Sequence, residues 1–318
     1  MRPQCVICGF LIFALFADAH CTMAQTNAAE AQNASPLNFN VSVDEVSLTF
    51  HASDVRGLPV ANLKLNDLTI YDNLKRPGKV LVFQSLRDAP IRVGILLDTS
   101  ESMEGFISRG QAVSIEYVQR LLRPQTDHAF VEDFGYVSRI IQPWTSSPFA
   151  LANGIGEATA GRDNPRPGTA LFDTVYSACL YQFGKSDSLA SGNFILLFTD
   201  GEDNTSHVDL KDVVNICQRA NTTIYAFRPE PNQDSSSGPR NLGLLTSGTG
   251  GRVFHLDNSE AGIYKDLSTI DSGLRNQYWM VYRPAELKHD GKFHEIYVGA
   301  ATDNITIDAR TGYYAPDH

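Results

Sequence analysis

The sequence predicts an α/β protein in which a doubly wound, mostly parallel, Rossmann-like sheet is accompanied by a smaller all-β, sandwich-like unit. In residues 89–274, short apolar runs alternate with segments of helical periodicity, which is the pattern of parallel strands joined by crossover helices. In residues 39–88 and 275–318, apolar and polar residues alternate, as they do in strands with one buried face. We therefore expect an N-terminal β unit, an α/β domain and a C-terminal β segment.

The composition limits the classes of partner. The chain has 318 residues, of which 42% are hydrophobic, so a sizeable core is expected. Its formal net charge of −10 argues against a nucleic-acid backbone or an anionic membrane surface as partner. The charge is compatible with cation binding, although a solvated acidic surface gives the same value.

Residues 1–24 have the features of a secretion signal. Arg2 precedes an apolar run at residues 5–16 that is short for a bilayer span. We expect cleavage after Ala24, with Ala19 as the alternative position, followed by a flexible lead-in at residues 25–38. An uncleaved N-terminal anchor is the other alternative. No later stretch is long and apolar enough for a transmembrane helix. The mature chain is therefore expected to be exported, periplasmic or extracellular, with no transmembrane segment.

Period-two alternation predicts the strands of the N-terminal β unit, and turn residues near Gly57 and Pro77 separate them. The predicted strands are residues 39–43, 46–50, 68–71 and 80–83.

The α/β domain contains two predicted strands, residues 93–97 and 194–198, with no polar side chain within them. This composition is expected of strands buried on both faces. The other predicted strands are residues 129–131, 140–141, 223–227 and 253–256, and the predicted helices are residues 107–122, 169–183, 210–219, 240–246 and 261–274.

The C-terminal segment returns to alternation. The alternating pairs are Trp279 and Val281, Ile296 and Val298, and Ile305 and Ile307. Each β segment is short for independent stability. We therefore expect the N- and C-terminal pieces to pack together as one sandwich, with two separate appendages as the alternative.

Two cysteines, Cys179 and Cys217, remain after removal of residues 1–24. An oxidising compartment favours a disulfide between them. Both lie in predicted helices, however, and helix axes usually pack too far apart for the bridge. Two buried thiols are therefore expected.

The two most apolar strands end in polar residues suited to binding a cation. Asp98, Ser100 and Ser102 follow the first strand, and Asp200 follows the second. In open α/β sheets, ligands bind at the carboxyl ends of the strands. Carboxylate and hydroxyl oxygens suit a hard cation such as Mg²⁺, with Mn²⁺ and Ca²⁺ as alternatives.

Asp98-x-Ser100-x-Ser102, Thr169 in Gly-Thr-Ala-Leu-Phe-Asp and Phe-Thr-Asp200-Gly together resemble the metal-ion-dependent adhesion site of von Willebrand factor type A domains. The resemblance covers residues 89–274 and implies that Ser100 and Ser102 ligate the metal directly. It further implies that Thr169 is a ligand in some states, and that Asp98 and Asp200 hold the metal directly or through water.

The flanking segments at residues 56–60 and 310–314 also resemble a bacterial group of secreted proteins related to this family. The implied function is binding of a protein partner, whose exposed Asp or Glu completes the metal's coordination, and not catalysis. A degenerate domain that no longer binds metal is the structural alternative.

Two other functions remain open. A metal-dependent hydrolase needs a positioned general base; Glu101 is the only such residue within the motif, and alternation points it away from Ser100 and Ser102. A structural subunit of an envelope complex is the second alternative. The eight histidines show no paired spacing typical of a zinc site.

Three further acidic residues, Asp173, Glu202 and Asp203, are weaker candidates. Asp173 lies four residues after Thr169 and is expected either to bond to a metal-binding group or to be an ordinary acid in the first helical turn. Asp203 and Glu202 are expected beside the ligands or on the surface, with the surface favoured for Glu202.

Overall fold

The computed structural model describes residues 44–161, 166–184, 192–230, 237–256, 259–286 and 288–316. The predicted signal peptide, lead-in and strand at residues 39–43 lie outside these ranges. Among the described helices, none is long and apolar enough to cross a membrane.

The strands lie in the two kinds of segment seen in the sequence, the apolar runs that alternate with helices and the segments of alternating apolar and polar residues. Their bounds are β1 (Val46–Asp54), β2 (Leu68–Asp72), β3 (Lys79–Ser85), β4 (Ile91–Asp98), β5 (His128–Phe134), β6 (Ser138–Thr145), β7 (Gly192–Phe198), β8 (Thr222–Arg228), β9 (Val253–His255), β10 (Gln277–Arg283), β11 (Phe293–Ala300), β12 (Ile305–Ala309) and β13 (Gly312–Tyr314). The helices are α1 (Ile107–Arg120), α2 (Pro148–Glu157), α3 (Leu171–Ser177), α4 (Leu210–Arg219), α5 (Gly238–Thr249) and α6 (Glu260–Arg275).

A six-stranded sheet in the order β6-β5-β4-β7-β8-β9 forms the centre of the α/β domain. All its neighbouring pairs are parallel except β5 and β6, which are antiparallel. Residues of α1, α2 and α6 pack in one apolar cluster on one face of the sheet. Residues of α3, α4 and α5 pack in a second cluster on the other face. The predicted doubly wound, mostly parallel sheet is therefore confirmed.

Strands from both ends of the chain form the smaller β unit. One sheet has the order β12-β1-β10-β3 and the other β13-β11-β2, so each contains strands from before and after the α/β domain. The two sheets share one apolar core, in which Leu48, Phe50 and Tyr278 of the first sheet pack with Ile70 and Ile296 of the second. The predicted sandwich-like unit from N- and C-terminal segments is thus confirmed.

Helix α2 is absent from the sequence-based prediction. Ser147 accepts a hydrogen bond from the Ala150 amide at 3.3 Å, and Pro148 opens the first turn, both ordinary helix-start features. The helix contains Gly154 and Gly156, however, and such residues weaken a helical pattern. The three-residue strand β13 is likewise missing from the prediction, because it is too short to show alternation.

The predicted helix at residues 169–183 is two elements in the structure. Regular α3 ends at Ser177, and Ala178–Phe183 continue as a π-helical stretch. Cys179 lies in this stretch and forms a disulfide with Cys217 of α4, so the expectation of two free thiols is wrong.

The error came from using axis separation without the position of each cysteine on its helix. Helices pack with axes about 8–10 Å apart and Cα atoms lie about 2.3 Å from each axis, so facing Cα atoms approach to about 3.4–5.4 Å. The Cα atoms of Cys179 and Cys217 are 5.0 Å apart, within the range for a bridge.

We predict that proteolysis without reduction recovers the peptides containing Cys179 and Cys217 as one linked pair. Because the bridge closes a loop with a sequence separation of 38, replacing both cysteines by Ala should lower the free energy of unfolding by about 2–4 kcal/mol. The measurement is chemical denaturation of wild type and variant, each with and without reductant. A reductant-independent difference between them, or alkylation of Cys179 and Cys217 in unreduced protein, would contradict the bridge.

Asp127 organises a buried ionic network that fixes the end of α6. Its side chain is fully buried and accepts hydrogen bonds from Arg123, Arg275 and the Ile91 amide. Arg275 also donates to the Leu121 carbonyl at 2.8 Å. Burial alone would raise the pKa of Asp127, but the two guanidinium groups and the amides outweigh it and lower the pKa to about 2.

We predict that Asp127→Asn lowers stability near neutral pH by about 2–4 kcal/mol, because two arginines lose their buried counter-charge. The depressed folded-state pKa makes the wild-type contribution complete above the ordinary value of 3.8 and lost as pH falls toward about 2. The stability difference between wild type and variant should therefore shrink across that window, measured by urea denaturation at several pH values. The exposed Asp303→Asn is the matched control. A difference that stays constant down to pH 2 would contradict the assignment.

Candidate metal centre

The strand order reverses between β4 and β7. From β4 the chain proceeds outward to β5 and β6, whereas from β7 it proceeds the opposite way to β8 and β9. Connections that leave in opposite directions open a crevice at the carboxyl ends of the two central strands. Leu97 and Phe198 are partners in the β4–β7 register, so Asp98 and Thr199 follow side by side at this crevice.

Asp98 and Thr199 form the buried base of the site, and both side chains are fully inaccessible. The Thr199 hydroxyl donates to Asp98 Oδ2 at 2.6 Å, and the Ser100 amide donates to Asp98 Oδ1 at 2.9 Å. Burial raises the pKa of Asp98 to about 6, with the nearby Asp200 acting in the same direction and these hydrogen bonds opposing it. The bottom of the site therefore contains a carboxyl group whose charged form a cation would stabilise.

The segment after β4 directs two serine hydroxyls toward one point. Thr99 turns back to the sheet, where its amide and hydroxyl both donate to the Phe134 carbonyl. Ser100 immediately precedes a short 3₁₀ turn, Glu101–Met103, and Ser102 lies within that turn. Their Oγ atoms are 3.2 Å apart. Buried Met103 anchors this turn in the core below.

A separate loop delivers Thr169, which is buried. Its amide donates to Asn204 Oδ1 at 2.8 Å, and its carbonyl accepts from the amides of Asn204 and Thr205. The preceding Gly168 has φ +136°, and a Cβ there would lie 2.5 Å from the Thr205 methyl group. Glycine is therefore required for this loop to pass so close to the segment after β7.

Asp200 follows Thr199 and is half-buried, with its Oδ1 accepting from the Glu202 amide at 3.0 Å. The chain then turns at Gly201, which has φ +88°. A Cβ at Gly201 would meet the Gly238 carbonyl at 2.5 Å. The Asn241 side chain donates to the Gly201 carbonyl, so α5 fixes the backbone next to Asp200.

A cavity of about 470 Å³ opens above this base. Of the five predicted site residues, Ser100, Ser102 and Thr169 line the cavity, whereas Asp98 lies below them and Asp200 beside the base. Its lining residues are Ser100, Glu101, Ser102, Glu104, Ala160, Gly161, Arg166, Pro167, Gly168, Thr169 and Asn204. Glu101, which alternation predicts to point away, is exposed and is one of these lining residues.

The weaker acidic candidates hold the surrounding loops. The Asp173 carboxylate accepts from the amides of His207 and Val208 and contacts the His207 ring, so partial burial is outweighed and the pKa of Asp173 falls. Asp203 accepts from the Phe172 amide at the start of α3. Glu202 accepts from Ser237 and from the Gly238 amide at the start of α5. Each of these acids therefore has a structural partner within the fold.

Two residues of the site have roles that the sequence did not assign. Thr199 lies inside the recognised Phe-Thr-Asp-Gly motif, but the pattern does not reveal that its hydroxyl bonds to Asp98. Asn204 holds the Thr169 loop from 35 residues away. Such a distant contact leaves no local signal in one sequence.

The oxygen donors of the predicted site residues are of the kind that suits a hard cation. Neighbouring ligands of octahedral Mg²⁺ are about 3 Å apart, because bonds of about 2.1 Å meet at right angles. The separation of 3.2 Å between the hydroxyls of Ser100 and Ser102 is close to this value. Within the described ranges, no group of three or more His, Cys, Asp or Glu side chains is placed to hold a metal. A cation at this place would therefore need hydroxyl oxygens as well as Asp98 and Asp200.

Comparisons with solved structures find similar folds at low identity. BatB from Bacteroides thetaiotaomicron is 15% identical with a TM-score of 0.46, and the match covers 57% of this chain and 97% of that one. Proximal thread matrix protein 1 from the mussel byssus, with a zinc-occupied MIDAS motif, is 16% identical with a TM-score of 0.48, covering 64% of this chain and 50% of that one. A von Willebrand factor type A structure from Catenulispora acidiphila is 14% identical with a TM-score of 0.45, covering 79% and 73%.

No protein-family model matches the chain, and no curated protein matches it significantly. The assignment of the fold therefore depends on the strand order of this chain, which is that of an open doubly wound sheet.

We predict that Thr199→Val destabilises the protein by about 1–3 kcal/mol, because the buried Asp98 carboxylate loses a donor. The Gly201 amide, which donates to the same hydroxyl at 3.0 Å, loses its acceptor. Thr199→Ser keeps the hydroxyl and should remain close to wild type. Urea denaturation in EDTA measures both variants. Destabilisation by Ser but not by Val would assign the effect to packing of the methyl group instead, because Val keeps that methyl group.

Proposed function

We propose that the protein is an exported binding module that engages a protein partner through one divalent metal ion. Asp98, Ser100, Ser102, Thr169 and Asp200 would hold the ion, with Mg²⁺ favoured by their oxygen donors. The observation that carries the proposal is the convergence of the Ser100 and Ser102 hydroxyls and Thr169 on one cavity directly above buried Asp98.

The chemistry of the donor set favours binding of an acidic group. The ion would have two protein carboxylates and otherwise neutral hydroxyls, so when bound it supplies an electrophilic centre for a further oxygen ligand. Ser100, Ser102 and Thr169 line an open cavity that the partner's Asp or Glu side chain can enter. Asp98 and Thr199 lie below these residues and are fully buried. They would therefore help to fix the positions of the metal-binding groups without contacting the partner.

A metal-dependent hydrolase is the second candidate. It would need a general base held at a fixed position near the reacting water. Among the described residues lining the cavity there is no histidine, and both glutamates are exposed. This favours binding over catalysis. Turnover of a generic ester by wild type that is lost in Glu101→Gln would support the hydrolase.

We predict that Mg²⁺ binding depends on the carboxylates more than on a single hydroxyl. Asp98→Asn keeps the size of the buried side chain and an oxygen donor but removes the charge, whereas Asp200→Ala removes a charge and a ligand. Both should weaken Mg²⁺ binding more than Ser102→Ala does, as measured by calorimetry. Glu157→Gln, which removes an exposed acid at the end of α2, is the control. Unchanged affinity for Mg²⁺ in Asp200→Ala would contradict the assignment of the metal site.

The binding function itself is tested by affinity capture from the native envelope fraction in Mg²⁺ and in EDTA. A partner that is retained by wild type in Mg²⁺ but lost both in EDTA and with Asp200→Ala supports the proposal. By linkage, Mg²⁺ and that partner must tighten each other by the same factor. Retention that is equal in EDTA favours the structural-subunit alternative.

A further inference from the structure

The cavity at the candidate metal centre carries opposite charges on its two loops. The loop that contains Ser100 and Ser102 also contributes Glu101 and Glu104, whereas the loop that leads to Thr169 contributes Arg166. All three charged side chains are exposed. Arg166 is the only basic residue among the described residues that line the cavity.

Arg166 is held on the Thr169 side of the cavity. Its guanidinium carbon lies 5.8 Å from the centre of the Tyr136 ring, within the range of a cation–π contact. The same ring lies 3.6 Å from where a Cβ of Gly168 would be, immediately next to Thr169. The planar guanidinium presents a fork of donors that matches the geometry of a carboxylate.

The size of the cavity allows more than one side chain of a partner to enter. A volume of 470 Å³ falls within the range of about 300–1,000 Å³ typical of ligand sites. A partner that brought only an acid would meet repulsion from Glu101 and Glu104. A segment carrying both charges would match the two loops.

Resting on the proposed metal-dependent binding, we propose that Arg166, Glu101 and Glu104 determine which partner is accepted. The occupant is a protein segment with mixed charge: one acid at the metal, a second acid paired with Arg166, and a basic side chain facing Glu101 and Glu104. Complementary charge of this kind acts on specificity and on the rate of association.

The test uses a displayed peptide library with one fixed central Asp and randomised neighbours, selected on the full chain in Mg²⁺ and in EDTA. Wild type should enrich, only in Mg²⁺, peptides with a second acid on one side of the fixed Asp and a base on the other. Arg166→Gln should lose the preference for the second acid and bind the best wild-type peptide about tenfold more weakly, as for close interfacial charge pairs. It should still require Mg²⁺. The double variant Glu101→Gln/Glu104→Gln should lose only the preference for the base.

Arg87→Gln, an exposed arginine on the β unit, is the matched control and should select the same peptides as wild type. Metal-dependent selection without any charge preference, or preferences unchanged in the Arg166 and glutamate variants, would overturn this inference and leave the binding function standing. Absence of any metal-dependent peptide would overturn the proposed function, and this inference with it.

Discussion

The hydrogen bond from the Thr199 hydroxyl to the Asp98 carboxylate joins the two central strands at the place where their order reverses. Both side chains are fully buried, so the sheet fixes their positions. Beyond this bond the chain diverges: Ser100 follows β4 toward one face, and Gly201 turns toward α5. The remaining donors are therefore positioned relative to one rigid pair, and only loops that return to this pair can complete the site. The Thr169 loop does so through its hydrogen bonds with Asn204.

The β unit has a different relation to the site. Its strands come from both ends of the chain, and only Asn276 separates the end of α6 from the start of β10. Helix α4 adds direct bonds, since Lys211 donates to the Gly291 carbonyl and Gln218 to the Gly312 carbonyl. The described residues lining the cavity nevertheless all belong to the α/β domain. Recognition at the cavity would thus involve the doubly wound domain, and the β unit is attached to that domain by covalent continuity and by contacts that include these hydrogen bonds.

The sequence allowed the structure to be predicted where strands are buried on both faces and where the pattern involves residues close together in the chain. The apolar runs inside β4 and β7, residues 93–97 and 194–198, have no polar residue within them, so the carboxyl ends of these strands, which Asp98 and Asp200 adjoin, were predictable. Helix α2 was not, since Gly154 and Gly156 weaken its pattern. Neither the pairing of Cys179 with Cys217 nor the contact of Asn204 with Thr169 was encoded locally, because each depends on which sides of distant segments face each other. The cavity above the motif, with Arg166 on one rim, likewise emerges only when separate loops meet.

The charges around the cavity bear on how an acidic protein would attract the proposed acidic partner. The chain carries a net charge of −10, but charges farther than about 8 Å are largely screened at physiological ionic strength. The charges close to the cavity therefore determine whether an acidic segment is attracted or repelled. A divalent ion would neutralise Asp98 and Asp200, leaving Arg166 against Glu101 and Glu104 on the rim. This remainder is slightly negative, so a purely acidic segment is disfavoured even with the ion in place. A segment that adds a base beside the glutamates would remove the repulsion and keep the acid at the metal, so under the proposed function the rim would select by exclusion as well as by attraction.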